Sequence, residues 1–297
     1  MKLQDLFEET PTERAAKVKH DQFYTRPEVA AEFAQWVKSH VGKVDRVIDP
    51  CAGSGEILKH FPGAIAMDID PHAEGIRQGN FLHTDFEPIP GKTLVVGSPP
   101  FGYMGSLAIP FINHAAEFAD YIAFILPRSM RKPALQNRVT SEFSLADDYT
   151  LPKNSFYLPH EGVKKTPYDV HAVAQLWVKK PRTIEEPVRR SEYIAFVRQE
   201  DARHADIAFR RKGYRAGQVT TVENGLQRPS IFYFIKILKD RQKIINTLWK
   251  MDWSDVMHEV VGSYSISMPE IIKKLETTLK EQKFGRLASK FSVTPLR

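Results

Sequence analysis

Four short apolar runs, each closed by a turn of glycine, proline or acid, constrain this chain more than any other feature. Arg46-Val47-Ile48-Asp49 leads into Pro50-Cys51-Ala52-Gly53-Ser54-Gly55, and Ala64–Asp68 leads into Ile69-Asp70-Pro71. Thr93–Gly97 leads into Ser98-Pro99-Pro100-Phe101-Gly102, and Tyr121–Leu126 leads into Pro127-Arg128. Runs of this length and composition fit strands buried on both faces. Helical periodicity lies around and between them. Glu28–Ser39 sets Val29, Phe33, Trp36 and Val37 on one face behind Pro27, and Ser106–Ala119 reads as a helix with Pro110 near its first turn. Strands alternating with helices predict an α/β fold, a doubly wound and mostly parallel sheet, with Val170–Val178 as a later strand.

Past that strand the composition changes. Lys179–Arg190 is rich in charge and proline and reads as a linker. Beyond it Tyr193–Arg198, Asp206–Arg211 and Ile231–Leu238 are strand-like, and Ser267 with Glu270 forms a capping-box pattern ahead of a C-terminal helix. The expected organisation is an N-terminal arm over 1–20, a catalytic domain over 21–180 and a smaller C-terminal α+β region over 181–297, where target recognition is expected. The chain has 297 residues, a formal net charge of +6 and a single cysteine, which excludes an intrachain disulfide and a cysteine-rich zinc site. The histidines show no metal-ligand spacing, so no metal is assigned. No stretch approaches the apolar length of a membrane helix, and the N-terminus lacks a signal-peptide core. A cytoplasmic protein with a polyanionic partner and no membrane partner is expected.

The turns carry the chemistry. Glycines in the first bring backbone close to a ligand at the carboxyl end of the first strand, where open α/β sheets bind. Position 58 is leucine, so the third glycine of a dinucleotide fingerprint is missing and a dehydrogenase is disfavoured. Asp49, Cys51, Ala52, Gly53 and Gly55 are the candidate contacts of this loop, with Cys51 read as a small packed side chain. An acid after the second strand suits ribose hydroxyls; Asp68 is the first choice and Asp70 competes, with Ile69 between them. Asp85 and Phe86 are candidates for the cofactor's adenine. Upstream, Thr25 is placed to bond a carboxylate, and Phe23 or Tyr24 to cover the cofactor. In the fourth motif, two prolines fix φ and remove two N–H donors. The Ser98 side-chain oxygen and the Pro99 carbonyl can then accept both N–H bonds of an exocyclic amino group. Held so, the nitrogen can attack a methyl sulfonium in line, with Pro100 stiffening the corner and Phe101 offering a π face to a base drawn out of its stack.

These residues resemble the S-adenosylmethionine-dependent amino-methyltransferases of DNA, which modify adenine N6 or cytosine N4. The resemblance covers roughly 20–180 and follows the order Phe23-Tyr24-Thr25, Asp49–Gly55, the acidic turns, then Ser98–Phe101. The stretch from Ser98 to Met130 also resembles small, phage- or plasmid-borne methyltransferases with an Asn-Pro-Pro-Phe-Gly version. The resemblance implies a seven-stranded methyltransferase sheet, S-adenosyl-L-methionine as cofactor, base flipping, and a restriction endonuclease as a partner of some such enzymes. Motif order favours adenine and Ser98 favours cytosine, so the base stays open, with adenine N6 ahead. An RNA amino-methyltransferase and a weak or inactive nucleic-acid-binding subunit stay alive, as do monomer and dimer.

On the substrate side, Arg128, Arg131 and Lys132 follow the fourth strand and are expected to grip phosphates. The 203–250 stretch interleaves basic and aromatic residues, with Arg210, Arg211, Lys212 and Arg215 as its leading nucleic-acid contacts.

Overall fold

The computed structural model describes residues 23–102, 105–157, 170–184, 186–260 and 263–291. The residues expected to form the arm at 1–20 lie outside them. The chain divides into two compact units, Met1–Ile184 and Glu185–Arg297.

In the first unit the strands are β1 (Tyr24–Thr25), β2 (Arg46–Asp49), β3 (Ile65–Asp68), β4 (Arg77–Gln78), β5 (Thr93–Gly97), β6 (Tyr121–Pro127), β7 (Phe143–Thr150), β8 (Phe156–Tyr157) and β9 (Ala172–Lys179). Seven of them form one sheet in the order β4-β3-β2-β5-β6-β9-β7. The pairs from β4 to β6 are parallel, while β9 runs antiparallel to both β6 and β7. The protein therefore has the mostly parallel, doubly wound seven-stranded sheet that the resemblance implies.

Side-chain alternation builds a core on each face. On β5, Val95 faces one way while Leu94 and Val96 face the other. On β6, Ile122, Phe124 and Leu126 share the side of Val95, and Ala123 and Ile125 the opposite side. Helix α1 (Pro27–His40) covers the second face through Val29, Phe33 and Val37, and starts at Pro27 in its first turn, where a missing N–H costs nothing. Helix α2 (Ala108–Ala115) covers the first face through Ala108, Ile109 and Ile112. Trp36 Nε1 and His40 Nε2 both reach Asp147 Oδ2, at 3.2 and 3.0 Å, tying α1 to β7.

Two expectations change. No α-helix follows the glycine loop; residues 50–64 hold only a 3₁₀ turn, Leu58–His60. Positive φ at Gly53, Gly55 and Gly63, with Pro62 between, leaves no span for a multi-turn helix. The helix read over 106–119 is confined to α2. A short helix, α3 (Pro133–Gln136), lies beyond β6.

The second unit is α+β. Strands β10 (Ile194–Val197), β11 (Ile207–Arg210), β12 (Val219–Thr220) and β13 (Phe232–Ile237) form an antiparallel sheet in the order β10-β13-β11-β12. Helix α4 (Val222–Leu226) lies against one face. Helices α5 (Arg241–Lys250) and α6 (Met268–Phe291) pack Ile244, Leu248, Ile271 and Leu275 against Ile207, Phe209 and Ile235 on the other. Glu270 Oε2 accepts the Ser267 N–H at 2.6 Å, the returning half of the capping box. A hairpin of β14 (His258–Val260) and β15 (Ser263–Ser265) precedes α6. Among the described residues, no helix is long and apolar enough to cross a membrane, and no group of three or more His, Cys, Asp and Glu is placed to hold a metal ion.

Candidate active site

Parallel strands β2, β3 and β5 deliver their carboxyl ends to one rim, and the motif residues meet there. Phe23, Tyr24, Thr25, Asp49, Cys51, Ala52, Gly53, Ser54 and Ser98 line a single cleft. Three hydrogen bonds weld the glycine loop to the acidic turn: Ala52 N–H to the Met67 carbonyl at 3.0 Å, His72 N–H to the Gly53 carbonyl at 3.0 Å, and Gly53 N–H to Asp68 Oδ2 at 2.7 Å. Asp68 Oδ1 accepts the Asp70 N–H at 2.8 Å, so this carboxylate organises both loops. Asp70 is half-buried and pairs with His72 at 3.4 Å, and Ile69 is 52% exposed.

The cleft is polar where it is most buried. Asp49 is 1% exposed; one oxygen accepts the Cys51 N–H at 3.2 Å, and the other has no hydrogen-bond partner. Burial pushes the Asp49 carboxyl up to about 8, against the Cys51 bond and with the help of the Asp68 charge. Burial also raises Asp68, while the backbone bonds from Asp70 and Gly53 pull it down. The Thr25 and Tyr24 hydroxyls are buried without partners in the same cleft. Such orphaned groups carry a desolvation cost that a complementary ligand removes. Burial raises the Cys51 thiol well above its ordinary range, which disfavours its thiolate form.

A clasp closes the cleft. β1 pairs with β8, Tyr24 opposite Tyr157, and Tyr157 donates its hydroxyl hydrogen bond to Ser54 Oγ at 3.0 Å. Gly53 has φ +50°, and a β-carbon there would stand 2.9 Å from the Tyr24 ring. The free volume beneath is about 30 Å³, roughly one water.

The diproline corner leaves β5 beside this cleft. Among the described residues, no hydrogen bond occupies Ser98 Oγ, and the Pro99 carbonyl accepts no backbone N–H. Pro99 is buried and Pro100 half-buried. Phe101 departs from its expected role as a base platform. It is 7% exposed and packs against Phe23 at 6.5 Å and Phe156 at 6.1 Å, because its ring completes the core on the α1 side. Phe23 thus divides its contacts between the cleft and this core.

Asp85 and Phe86 are likewise displaced. They follow a 3₁₀ turn, Phe81–His83, and not a strand end. Asp85 is exposed, and Phe86 packs on Phe81 and Phe118 at 5.9 and 4.9 Å. The parallel strand next to β3 is β4, which ends at Gln78, and the Gly79 N–H bonds the Asp68 carbonyl at 2.8 Å. Gly79 and Asn80 therefore follow the end of β4, and the Asn80 side chain caps the 3₁₀ turn by accepting the Leu82 N–H at 3.1 Å.

Among the expected phosphate contacts, Arg131 is engaged. It forms a bidentate pair with Asp148 at 2.7 and 2.9 Å and donates to Thr150 Oγ1 at 2.8 Å. Arg128 and Lys132 flank it at the carboxyl end of β6. In the second unit, Arg211 donates to the Ser230 carbonyl and the Tyr233 hydroxyl and lies over the Tyr233 ring at 4.9 Å, so it too is a structural cation. Arg210 lies over Phe232, while Lys212 and Arg215 are exposed on a loop where Tyr214 is 86% exposed.

Fold and cleft together define an α/β protein whose first glycine loop, acidic turn and diproline corner converge at the carboxyl rim of a mixed sheet. No protein-family profile matches the chain. The protein ENHANCED DOWNY MILDEW 2 of Arabidopsis thaliana is 28% identical over 156 residues, which is 46% of this chain but only 12% of that protein's length. Among solved structures, PH1948 of Pyrococcus horikoshii, described as a candidate RNA methyltransferase, gives a TM-score of 0.41 at 18% identity, covering 58% of this chain and all of that one. A type I restriction-modification methyltransferase subunit from Streptococcus thermophilus gives 0.36 at 16% identity, covering 57% and 47%. Magnesium protoporphyrin IX methyltransferase from Synechocystis PCC 6803, solved with bound SAM, gives 0.34 at 14% identity, covering 59% and 94%.

Proposed function

We propose that the chain is an S-adenosylmethionine-dependent methyltransferase acting on the exocyclic amino group of a nucleic-acid base, in DNA before RNA and at adenine N6 before cytosine N4. One observation carries the reading: Ser98 opens into the same cleft as the glycine loop, beside a buried carboxylate oxygen of Asp49 that has no partner.

The cofactor's chemistry suits the residues present. The orphaned Asp49 oxygen would hold its ammonium, and the Thr25 hydroxyl its carboxylate. Asp68 and Asp70 would supply acceptors for its vicinal hydroxyls. When bound, the cofactor supplies a methyl group on a sulfonium, a strong electrophile. The protein's part is positioning. Ser98 Oγ and the Pro99 carbonyl accept the two N–H bonds of the target amine and turn its lone pair out of the ring plane. The stiff prolines hold this geometry without reorganisation, and the clasp formed by β1 and β8 excludes water.

The test is modification-aware sequencing of DNA from cells expressing the wild type or Ser98→Ala, beside mass spectrometry of nucleosides from their RNA. Wild-type-only N6-methyladenine or N4-methylcytosine in DNA is the expected result. The absence of any wild-type-only mark in either polymer sinks the catalytic reading. A second reading, a nucleic-acid-binding subunit with weak or no turnover, draws on the burial of Phe101, which leaves little ring face for a flipped base.

A further inference from the structure

The C-terminal unit has a cavity of its own, lined by residues that include Arg210. It holds about 610 Å³, within the range of small-molecule sites, and opens between the edge strand β12 and the end of α5. We infer that this cavity is a nucleotide site that receives one unstacked base of a single-stranded or locally opened nucleic acid. The inference deepens the proposed function and rests on it for the class of substrate.

Three observations carry it. The first is Trp249, on the last turn of α5, which is 70% exposed at the cavity wall. An indole left in water at a concave rim contributes little to folding, whereas base–aromatic stacking uses that face. On another wall, the Arg210 guanidinium lies 6.0 Å over the Phe232 ring, which adds a planar cation. The second is the polar lining. Gln218 and Asn224 present side-chain amides, and Asn224 Nδ2 is held by Thr220 Oγ1 at 3.1 Å, which fixes its carbonyl oxygen in place as an acceptor for a base edge.

The third is charge. An adjoining cavity of about 470 Å³ shares Met251 with the first and is lined by Lys243 and Lys250. Across both cavities, the cations Arg210, Lys243 and Lys250 face one acid, Asp252, a net charge of +2. Asp252 is moreover occupied by the Ser254 N–H and hydroxyl at 3.0 and 2.8 Å. An aromatic wall and amides beside lysines match a base and its flanking phosphates. An extended peptide added to β12 is the other candidate occupant, but β12 offers only two residues of edge.

The experiment is fluorescence anisotropy with labelled 12-nucleotide single strands of DNA and RNA, and a DNA duplex of equal length, against the full chain without added cofactor. Trp249→Ala is expected to weaken single-strand binding about tenfold or more. A Lys243→Ala, Lys250→Ala variant is expected to lower the salt slope by about 1.4, the value for two phosphate contacts on a single strand. Circular dichroism and a thermal melt check that both pocket variants fold, which the exposure of these side chains favours. Wild-type affinity in Trp249→Ala, or binding of an extended peptide in place of the oligonucleotides, overturns the inference. If Trp249→Ala loses affinity while no polymer is ever methylated, the methyl-transfer reading fails and the pocket stands. If methylation is found and Trp249→Ala binds normally, the reverse holds.

Discussion

Gly97 lies so close to Asp49 that a β-carbon added to it would stand 2.7 Å from Asp49 Oδ1 and 3.2 Å from Cys51 Sγ. The last residue of β5 thus pins the carboxylate at the end of β2, one strand over, and the Ser98–Pro99 corner begins at the very next residue. The glycine is needed for space, since its φ is not positive. Gly97→Ala should push Asp49 and the glycine loop off their places. The expected outcome is a loss of about 1–3 kcal/mol in stability, the usual cost of overpacking. S-adenosylmethionine affinity should fall by more than tenfold, read by calorimetric titration beside a thermal melt. Unchanged affinity would remove Asp49 from the cofactor site.

Asp49 itself predicts a pH dependence. Its carboxyl titrates near 8 in the folded chain and near 4 when unfolded, so the native state holds a proton through that window that the unfolded state has released. Stability of the ligand-free protein should therefore be greatest below pH 4 as far as this group is concerned, fall as pH rises towards 8, and level off above it. Asp49→Asn should flatten that fall, leaving the smaller contribution of Asp68, which is raised in the same sense. Cofactor affinity should rise towards pH 8 in the wild type as Asp49 ionises, and be weak and flat in Asp49→Asn. A thermal-melt series from pH 4 to 9 and titrations at the same values decide both.

Much of this arrangement could be read from residues alone, and the failures share a cause. Strands β2, β3, β5, β6 and β9 are apolar through most of their length because the sheet buries them on both faces. The edge strand β7, Phe-Ser-Leu-Ala-Asp-Asp-Tyr-Thr, is half-exposed and carries no such signal. Asp85 suits the role of a strand-end acid by its sequence, but β4 is two residues long, and a 3₁₀ turn follows before Asp85 is reached. The reading of 203–250 as a basic stretch hid α5, although Ile244 and Leu248 at helical spacing marked its buried face. The diproline corner and glycine loop were legible because both carry backbone constraints that act locally. The partner of Arg131, in contrast, lies 17 residues away, across two elements.

That partnership reverses the expected role of Arg131. With both carboxylate oxygens of Asp148 and the Thr150 hydroxyl engaged, its guanidinium joins the 3₁₀ turn after β6 to the edge strand β7. Arg131→Ala should cost about 1–2 kcal/mol, the pair being bidentate but partly solvated. The salt slope of nucleic-acid binding should stay at the wild-type value. Chemical denaturation and a salt titration separate the two roles, and a slope reduced by about one would restore Arg131 as a phosphate contact.

Arg182 carries the same logic into the stretch read as a linker. Its Nε donates to the Phe143 carbonyl at 2.8 Å, and its Nη2 donates to the Gln136 and Val139 carbonyls at 2.7 and 2.9 Å, while its own backbone N–H bonds the Ser141 carbonyl. The guanidinium also lies 5.7 Å over the Trp177 ring. One side chain therefore caps the end of α3, the turn after it and the start of β7. Those three carbonyls would lose a charged donor together in Arg182→Ala. Bonds to charged groups contribute about 1.5–3 kcal/mol each, but three bonds from one side chain are not additive. The expected loss is about 2–4 kcal/mol, and Arg182→Lys should recover little, because an ammonium lacks the planar fork that spans three acceptors. Urea denaturation of both variants measures it. Hydrogen exchange should show the loss concentrated in 133–150, where the freed carbonyls lie, and full stability in Arg182→Ala would return the segment to the status of a plain linker.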